Sequence, residues 1–284
     1  MKKPVVILGL SLVLSACGQS QIATQPTHKS TSPQPVNQEY SVSQSRIIGS
    51  NEMIKVKKDG SNVEGNLRGY LDAFGILSIG GGVCTGTHIG NGYVLTAGHC
   101  ILPEGQEGVR MNQECGNISM YWGYRGSPET GAPKPLVNMV SQCAKVIYAE
   151  LNNKPGKESK DFAVLKMNSA PSAFIRLSTS GTRASNGTKL TIFGYPQGRP
   201  LEWSQYCKMD SLQGEPARFA HVCDTEPGNS GSTILAINSS GVPYVIGIHD
   251  AGSENFNIGT HLADAMMTMK AKINFNLITA TSSL

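Results

Sequence analysis

The chain has 284 residues, enough for one large domain or two modest ones with a real core. Its formal net charge is +4, and four basic residues (Lys2, Lys3, Lys29, Arg46) against one acid (Glu39) precede residue 47, so the remainder is close to neutral. That balance argues against a nucleic-acid surface or an electrostatic membrane anchor. A charged content of only 15%, with 32 glycines and scattered Thr, Val and Ile, favours an all-β domain over a helical one.

Met1 to Cys17 reads as a signal peptide. Lys2 and Lys3 give a positive start, and Val5 to Leu14 form an apolar run too short to span a membrane. The run ends in Leu14-Ser15-Ala16-Cys17, which resembles a bacterial lipobox with Cys17 as the lipidated residue. The alternative is an ordinary small-residue cleavage site with an incidental cysteine. Gly18 follows in place of Asp, and by the same resemblance points to an outer-membrane or cell-surface location. Residues 18–46 read as a tether or propeptide. Up to residue 45 they are Gln, Ser, Thr and Pro with few large apolar side chains, and cannot bury enough surface to fold. Such a tether reaches on the order of 30 Å. Ser45-Arg46-Ile47-Ile48-Gly49 looks like a processing site, with cleavage after Arg46 exposing Ile47 and releasing the mature chain; the alternative is a strand that simply begins at Arg46.

Cys17 aside, six cysteines remain: Cys84, Cys100, Cys115, Cys143, Cys207 and Cys223. An even set in an exported chain implies disulfides, although six cysteines leave fifteen pairings open. Proximity along the chain suggests Cys115–Cys143 and Cys207–Cys223. Zinc is the rival use, but no paired Cys-x-x-Cys spacing is present, so no metal is expected.

Three motifs carry chemistry. Val94-Leu95-Thr96-Ala97-Gly98-His99-Cys100 is an apolar strand ending in a small-residue turn that presents His99, a base suited to neutral pH. Lys160-Asp161-Phe162-Ala163-Val164-Leu165 opens an apolar strand with an acid that could orient an imidazole. Glu226-Pro227-Gly228-Asn229-Ser230-Gly231-Ser232 flanks a serine with glycines, so that the Gly228 and Ser230 N–H groups could aim at one point. Each motif alone has a plain structural reading. Together they stand in the order His, Asp, Ser.

These segments, with Cys84-Thr85-Gly86, Gly194-Tyr195-Pro196 and Gly247-Ile248-His249, resemble the trypsin/chymotrypsin superfamily, and within it the bacterial glutamyl endopeptidases. The resemblance covers residues 47 to about 270. It implies two six-stranded antiparallel β-barrels, near 47–170 and 171–262, and a closing helix near 262–273. Leu262, Ala263, Met266, Met269 and Ile273 have helical spacing for that helix. It also implies a Cys84–Cys100 disulfide, a His99–Asp161–Ser230 triad, an oxyanion hole at Gly228 and Ser230, protein or peptide substrates and no cofactor; a monomer is the default expectation.

Two positions bend the trypsin pattern. Asn229 precedes the serine where trypsin-type enzymes carry an Asp that pairs with the freed N-terminus. Asp224 stands where they place the acid that binds Arg or Lys, yet Thr225 and His249 match the carboxylate-binding Thr and His of glutamyl endopeptidases. A hydroxyl and an imidazole can both donate to an anion. Gly252 and Thr260 are candidates for the pocket wall. Cleavage after Glu or Asp is the expectation, with an Arg/Lys-specific protease and an inactive binding lipoprotein as alternatives. His28, His88, His221 and His261 carry no motif and read as tether, structural or surface residues. Trp122 and Trp203 read as core or loop anchors.

Overall fold

The computed structural model describes residues 45–102, 107–126, 139–152, 160–178, 183–212, 216–272 and 280–281. The signal peptide, Cys17, His28 and the tether up to residue 44 lie outside the described residues, as does Ile273.

The first half carries β1 (Ile54–Lys55), a short helix α1 (Gly65–Arg68), β2 (Phe74–Ile79), β3 (Gly82–His88), β4 (Tyr93–Thr96), β5 (Gly108–Gln113), β6 (Ile118–Trp122), β7 (Met139–Asn152) and β8 (Lys160–Met167). Strand β6 shows strict in-out alternation, burying Ile118, Met120 and Trp122, as a barrel wall with one wet face requires. The order β7-β6-β2-β3-β4-β8 closes through a β7–β8 pairing into a six-stranded antiparallel barrel, with β5 added beside β7.

The second half carries β9 (Arg176–Ser178), β10 (Lys189–Gly194), β11 (Glu202–Ser211), β12 (Arg218–His221), β13 (Thr233–Ile237), β14 (Pro243–Gly252), β15 (Asn257–His261), helix α2 (Leu262–Lys272) and β16 (Ala280–Thr281). The order β13-β10-β11-β12-β15-β14 closes through β13–β14 into a second six-stranded antiparallel barrel, and β9 and β16 extend it in parallel beyond β14. Strand β14 is buried along its whole length. It wraps the second barrel on one side and meets β8 and α2 on the other, so no face is left for solvent. Helix α2 buries Leu262, Ala265, Met266 and Met269 and exposes Met267, the stripe its spacing implied; Ala263 is only half-buried.

The start of the domain departs from a simple division at residue 170. Strand β1 pairs with β11, so the chain enters along the second barrel before building the first. Three disulfides pair Cys84 with Cys100, Cys115 with Cys143 and Cys207 with Cys223.

The barrels are joined by aromatic packing. Phe193 on β10 stacks between Phe74 on β2, with centroids 5.0 Å apart, and Trp203 on β11, 5.8 Å away. The Tyr195 hydroxyl donates to the Phe74 carbonyl at 3.0 Å. Trp122 and Trp203 are both buried in this core. Because Phe193 is shared by the two barrels, Phe193→Ala should destabilise the protein by about 3–5 kcal/mol, read by urea unfolding with the disulfides intact.

Candidate active site

His99 sits in the turn after β4, and Asp161 opens β8, the neighbour of β4 in the barrel. Asp161 is fully buried, and both its oxygens are taken by one residue. Oδ1 accepts the His99 N–H at 2.9 Å, and Oδ2 lies 2.6 Å from His99 Nδ1. The turn can come this close only because residue 98 is glycine. A Cβ there would collide with the Glu150 carbonyl and crowd Asp161 Oδ1.

Burial opposes the imidazolium, but the Asp161 charge and hydrogen bond outweigh it and hold the His99 pKa above its ordinary value. Burial would likewise raise the Asp161 pKa, and His99 holds it below the ordinary carboxylate value. The pair therefore stabilises His99 as a proton acceptor whose Nδ1 is already committed, leaving Nε2 for chemistry.

Ser230 lies on the turn before β13. Its carbonyl accepts the Thr85 N–H at 2.8 Å and lies 3.9 Å from Cys100 Sγ, so the Cys84–Cys100 disulfide and the strand that carries it fix the serine turn beside the His99 turn. Gly231 completes the junction. Its φ is +82°, and a Cβ would strike Thr96 Oγ1 and lie 2.5 Å from the Thr85 carbonyl. Thr85 also ties the preceding loop: its hydroxyl donates to the Gly228 carbonyl at 2.9 Å and accepts from the Tyr195 N–H at 3.0 Å. Among the described residues, the Gly228 and Ser230 N–H groups have no backbone partner.

Behind the serine turn runs β14. Gly231 N–H donates to the His249 carbonyl at 2.9 Å, and His249 N–H to the Ser232 carbonyl at 2.8 Å. The His249 ring is fully buried. Its Nε2 meets Ser45 Oγ at 2.8 Å, and its Nδ1 meets His221 Nε2 at 3.2 Å. Burial, with the nearby His99 charge, lowers the His249 pKa to about 3, and burial drives His221 well below its usual value. Both rings are neutral at pH 7. With His221 Nε2–H donating to His249 Nδ1, the neutral His249 has its Nε2–H left as the donor toward Ser45, while His221 Nδ1 has no hydrogen-bond partner among the described residues.

The candidate pocket residues divide. Thr225 is buried with an unpartnered hydroxyl among the described residues, and its N–H donates to the Arg46 carbonyl at 3.0 Å. Asp224 turns the other way, accepting the Ile48 and Glu52 N–H groups at 2.7 Å each. Burial raises its pKa against these two bonds. The Thr260 hydroxyl is spent on Asp250 Oδ2 at 2.6 Å, and Gly252 ends β14 opposite Asn257. Asn257 holds the N-terminal segment with its amide, accepting from Arg46 N–H and donating to the Arg46 carbonyl. Asn229 is buried and puts its amide nitrogen 3.8 Å from Met53 Sδ. Two His/Cys groupings occur among the described residues, around His99 and around His221, but their cysteines are disulfide-bonded and offer no thiolate to a metal.

Residues 84–248 match the family description of the trypsin-like peptidase domain. The chain belongs to the trypsin-like peptidase family. No curated protein sequence matches it significantly. Among solved structures, this trypsin-like peptidase is similar to a Glu endopeptidase in complex with MPD, with a TM-score of 0.52 and 21% identity over 80% of this chain and 99% of that one. It is also similar to an inactive-form mutant of Rv3671c from M. tuberculosis H37Rv, with a TM-score of 0.50 and 14% identity over 79% of this chain and 95% of that one. At such identities the likeness is one of fold.

Three residues of this peptidase's site were not singled out by motif, His221, Arg218 and Asp250, and the seat of Ser45 on His249 was not read from its processing motif. Asp250 directly follows the Gly247-Ile248-His249 segment, the one local signal among them. His221 and His261 are both buried, the latter against the Phe219 ring at 4.6 Å. His88 is structural, its Nδ1 2.7 Å from the Ala173 carbonyl and its Nε2 accepting the Gly92 N–H.

The His99–Asp161 geometry has a direct solution test. Since pairing raises the His99 pKa, its Cε1–H resonance should titrate with a midpoint above about 6.5, with the imidazolium form lying below that midpoint. A midpoint at or below the ordinary value would mean that Asp161 does not carry charge beside it.

Proposed function

We propose that this peptidase is a serine endopeptidase that cuts after Glu or Asp, using His99, Asp161 and Ser230. The observation that carries the triad assignment is the double hold of Asp161 on His99. In this reading Ser230 Oγ attacks the scissile carbonyl while His99 Nε2 takes its proton, and Asp161 keeps the imidazole oriented and stabilises the imidazolium. The Gly228 and Ser230 N–H groups hold the oxyanion. His99 then protonates the leaving amine, and water releases the acyl-enzyme through the same base.

Specificity for an acidic side chain rests on His249. A neutral imidazole whose outward N–H meets Ser45 suits a carboxylate by hydrogen bonding, and Thr225, whose N–H holds the carbonyl of the adjoining Arg46, has a spare hydroxyl. Asp224 supports the Arg/Lys alternative poorly, because both of its oxygens are occupied by backbone N–H groups of the N-terminal segment. The inactive binding lipoprotein is the other reading, and a fluorophosphonate label that attaches at Ser230 would exclude it. Denatured protein incubated with the processed enzyme should be cut after Glu and Asp, read by mass spectrometry, and Ser230→Ala should give no cuts. Cuts after Arg or Lys would overturn the pocket assignment.

Processing after Arg46 belongs to the same reading. In the uncut chain the Ser45 hydroxyl occupies the His249 Nε2 that a substrate carboxylate needs, and Arg46 is pinned by Asn257 and Thr225. Cleavage frees Ser45 to leave. Asn229 has no charge to pair with the new amine, whereas Asp224 already holds the next residue's N–H. Arg46→Gln should therefore accumulate as a longer form with at least tenfold lower kcat/KM on a Glu substrate, of the order expected when a binding hydrogen bond is blocked. Full activity from that uncut form would remove the blocking role of Ser45. Export, with a lipid on Cys17 and a surface location before release, completes the proposal. The three disulfides favour an oxidising compartment.

A further inference from the structure

A second buried carboxylate stands behind the proposed triad without a part in the mechanism above. Asp250 is 1% exposed and is the extra residue of a β-bulge, where the register between β14 and β15 shifts between His249 and Ala251. Bulges beside active sites re-aim single side chains. This one sends Asp250 to the Thr260 hydroxyl, at 2.6 Å from Oδ2, and to Arg218 Nε, at 3.7 Å. Arg218 lies opposite Thr260 on β12 and is itself only 4% exposed, so the three side chains line up across three adjacent strands. Asp250 Oδ1 has no hydrogen-bond partner among the described residues.

A buried ion pair is weak as a source of stability, since the desolvation of both charges offsets their attraction. A carboxylate with one oxygen unsatisfied is weaker still. The position of this pair gives it another use. Strands β14 and β15 meet β8, which carries Asp161. The charged and titratable groups facing His99 are then Asp161 from β8, Arg218 from β12, and His249 and Asp250 from β14. Nearby, Lys160 and Glu150 form their own ion pair at 3.6 Å.

We propose that Asp250 is a positioning residue for the His99–Asp161 pair: a second buried carboxylate, aimed by the β14 bulge, held by Thr260 and balanced by Arg218, that sets how tightly His99 holds its proton. This rests on the peptidase reading of the site. Its charge favours the imidazolium and Arg218 opposes it. Burial, relieved in part by Arg218, pushes the Asp250 pKa up to about 6, while Asp161 is held low, so the two carboxyls are driven apart. Above that value Asp250 is ionised and supports the His99 imidazolium. Below it Asp250 is neutral, the support is withdrawn, and the acid limb of the rate profile becomes shallower than a single titration.

The test compares the processed wild-type enzyme with Asp250→Asn and Thr260→Val. The first variant removes the charge. The second keeps the carboxyl but removes the hydroxyl that favours its ionised form. In both, the acid limb of kcat/KM and the His99 Cε1–H titration should move to lower pH, by about half a unit or more for Asp250→Asn, equivalent to about threefold in the deprotonated fraction on the limb. Thr260→Val should move less, in the same direction. A purely structural role would lower kcat/KM at every pH and leave the limb in place. An unmoved or upward-moving limb and titration would overturn the proposal. The NMR titration decides it even if no substrate is cut, and Thr260→Val decides it if Asp250→Asn does not fold.

Discussion

A carboxylate with no exposure at all would cost several kcal/mol if left unpaired in the protein interior. Asp161 is in that position, and the first barrel satisfies it with a single residue: His99 supplies both a backbone N–H and a ring N–H. The backbone bond shapes the turn after β4 and the side-chain bond orients the imidazole, so turn shape and base orientation cannot vary independently. Gly98 admits the close approach, and the Cys84–Cys100 disulfide holds the same turn against the carbonyl of Ser230. The serine turn is therefore referenced to the first barrel although it belongs to the second.

The second barrel contributes a group of buried polar side chains behind that turn. His221 and His249 are neutral and hydrogen-bonded in series, while Arg218 and Asp250 are a close ion pair. The two sets occupy adjoining strands because β14 carries His249 and Asp250 in succession and the bulge turns Asp250 out of the normal alternation. In the proposed reading one set bears on substrate choice and the other on the proton affinity of His99, within a few residues of one strand. Gly259 and Gly247 leave room for the Phe219 ring between these strands, so the polar groups are walled by apolar surface.

The N-terminal segment brings the proposed processing site to the same place. Residues 45–52 are held by Asp224, Thr225, His249 and Asn257, four side chains or backbone groups of the second barrel, and β1 then continues the contact by pairing with β11. Asp224 thus serves the chain's own backbone, while His249 holds Ser45 and Thr225 holds the Arg46 carbonyl.

Much of this was legible in the residues themselves. Alternating and continuous apolar runs mark strands, the helical spacing of Leu262, Met266 and Met269 marks the last helix, and Gly98 before His99 and Gly228 and Gly231 around Ser230 mark turns, because these signals are local and depend only on backbone period and conformational freedom. The Cys115–Cys143 and Cys207–Cys223 pairs followed from the same locality, while Cys84–Cys100 was implied by the family resemblance. The direction in which Asp224 faces, the seating of Ser45 on His249, and the alignment of Arg218, Thr260 and Asp250 were decided only by tertiary structure. Each depends on which distant strand lies alongside and on a one-residue shift of register, and a single shift reverses the face to which a side chain points.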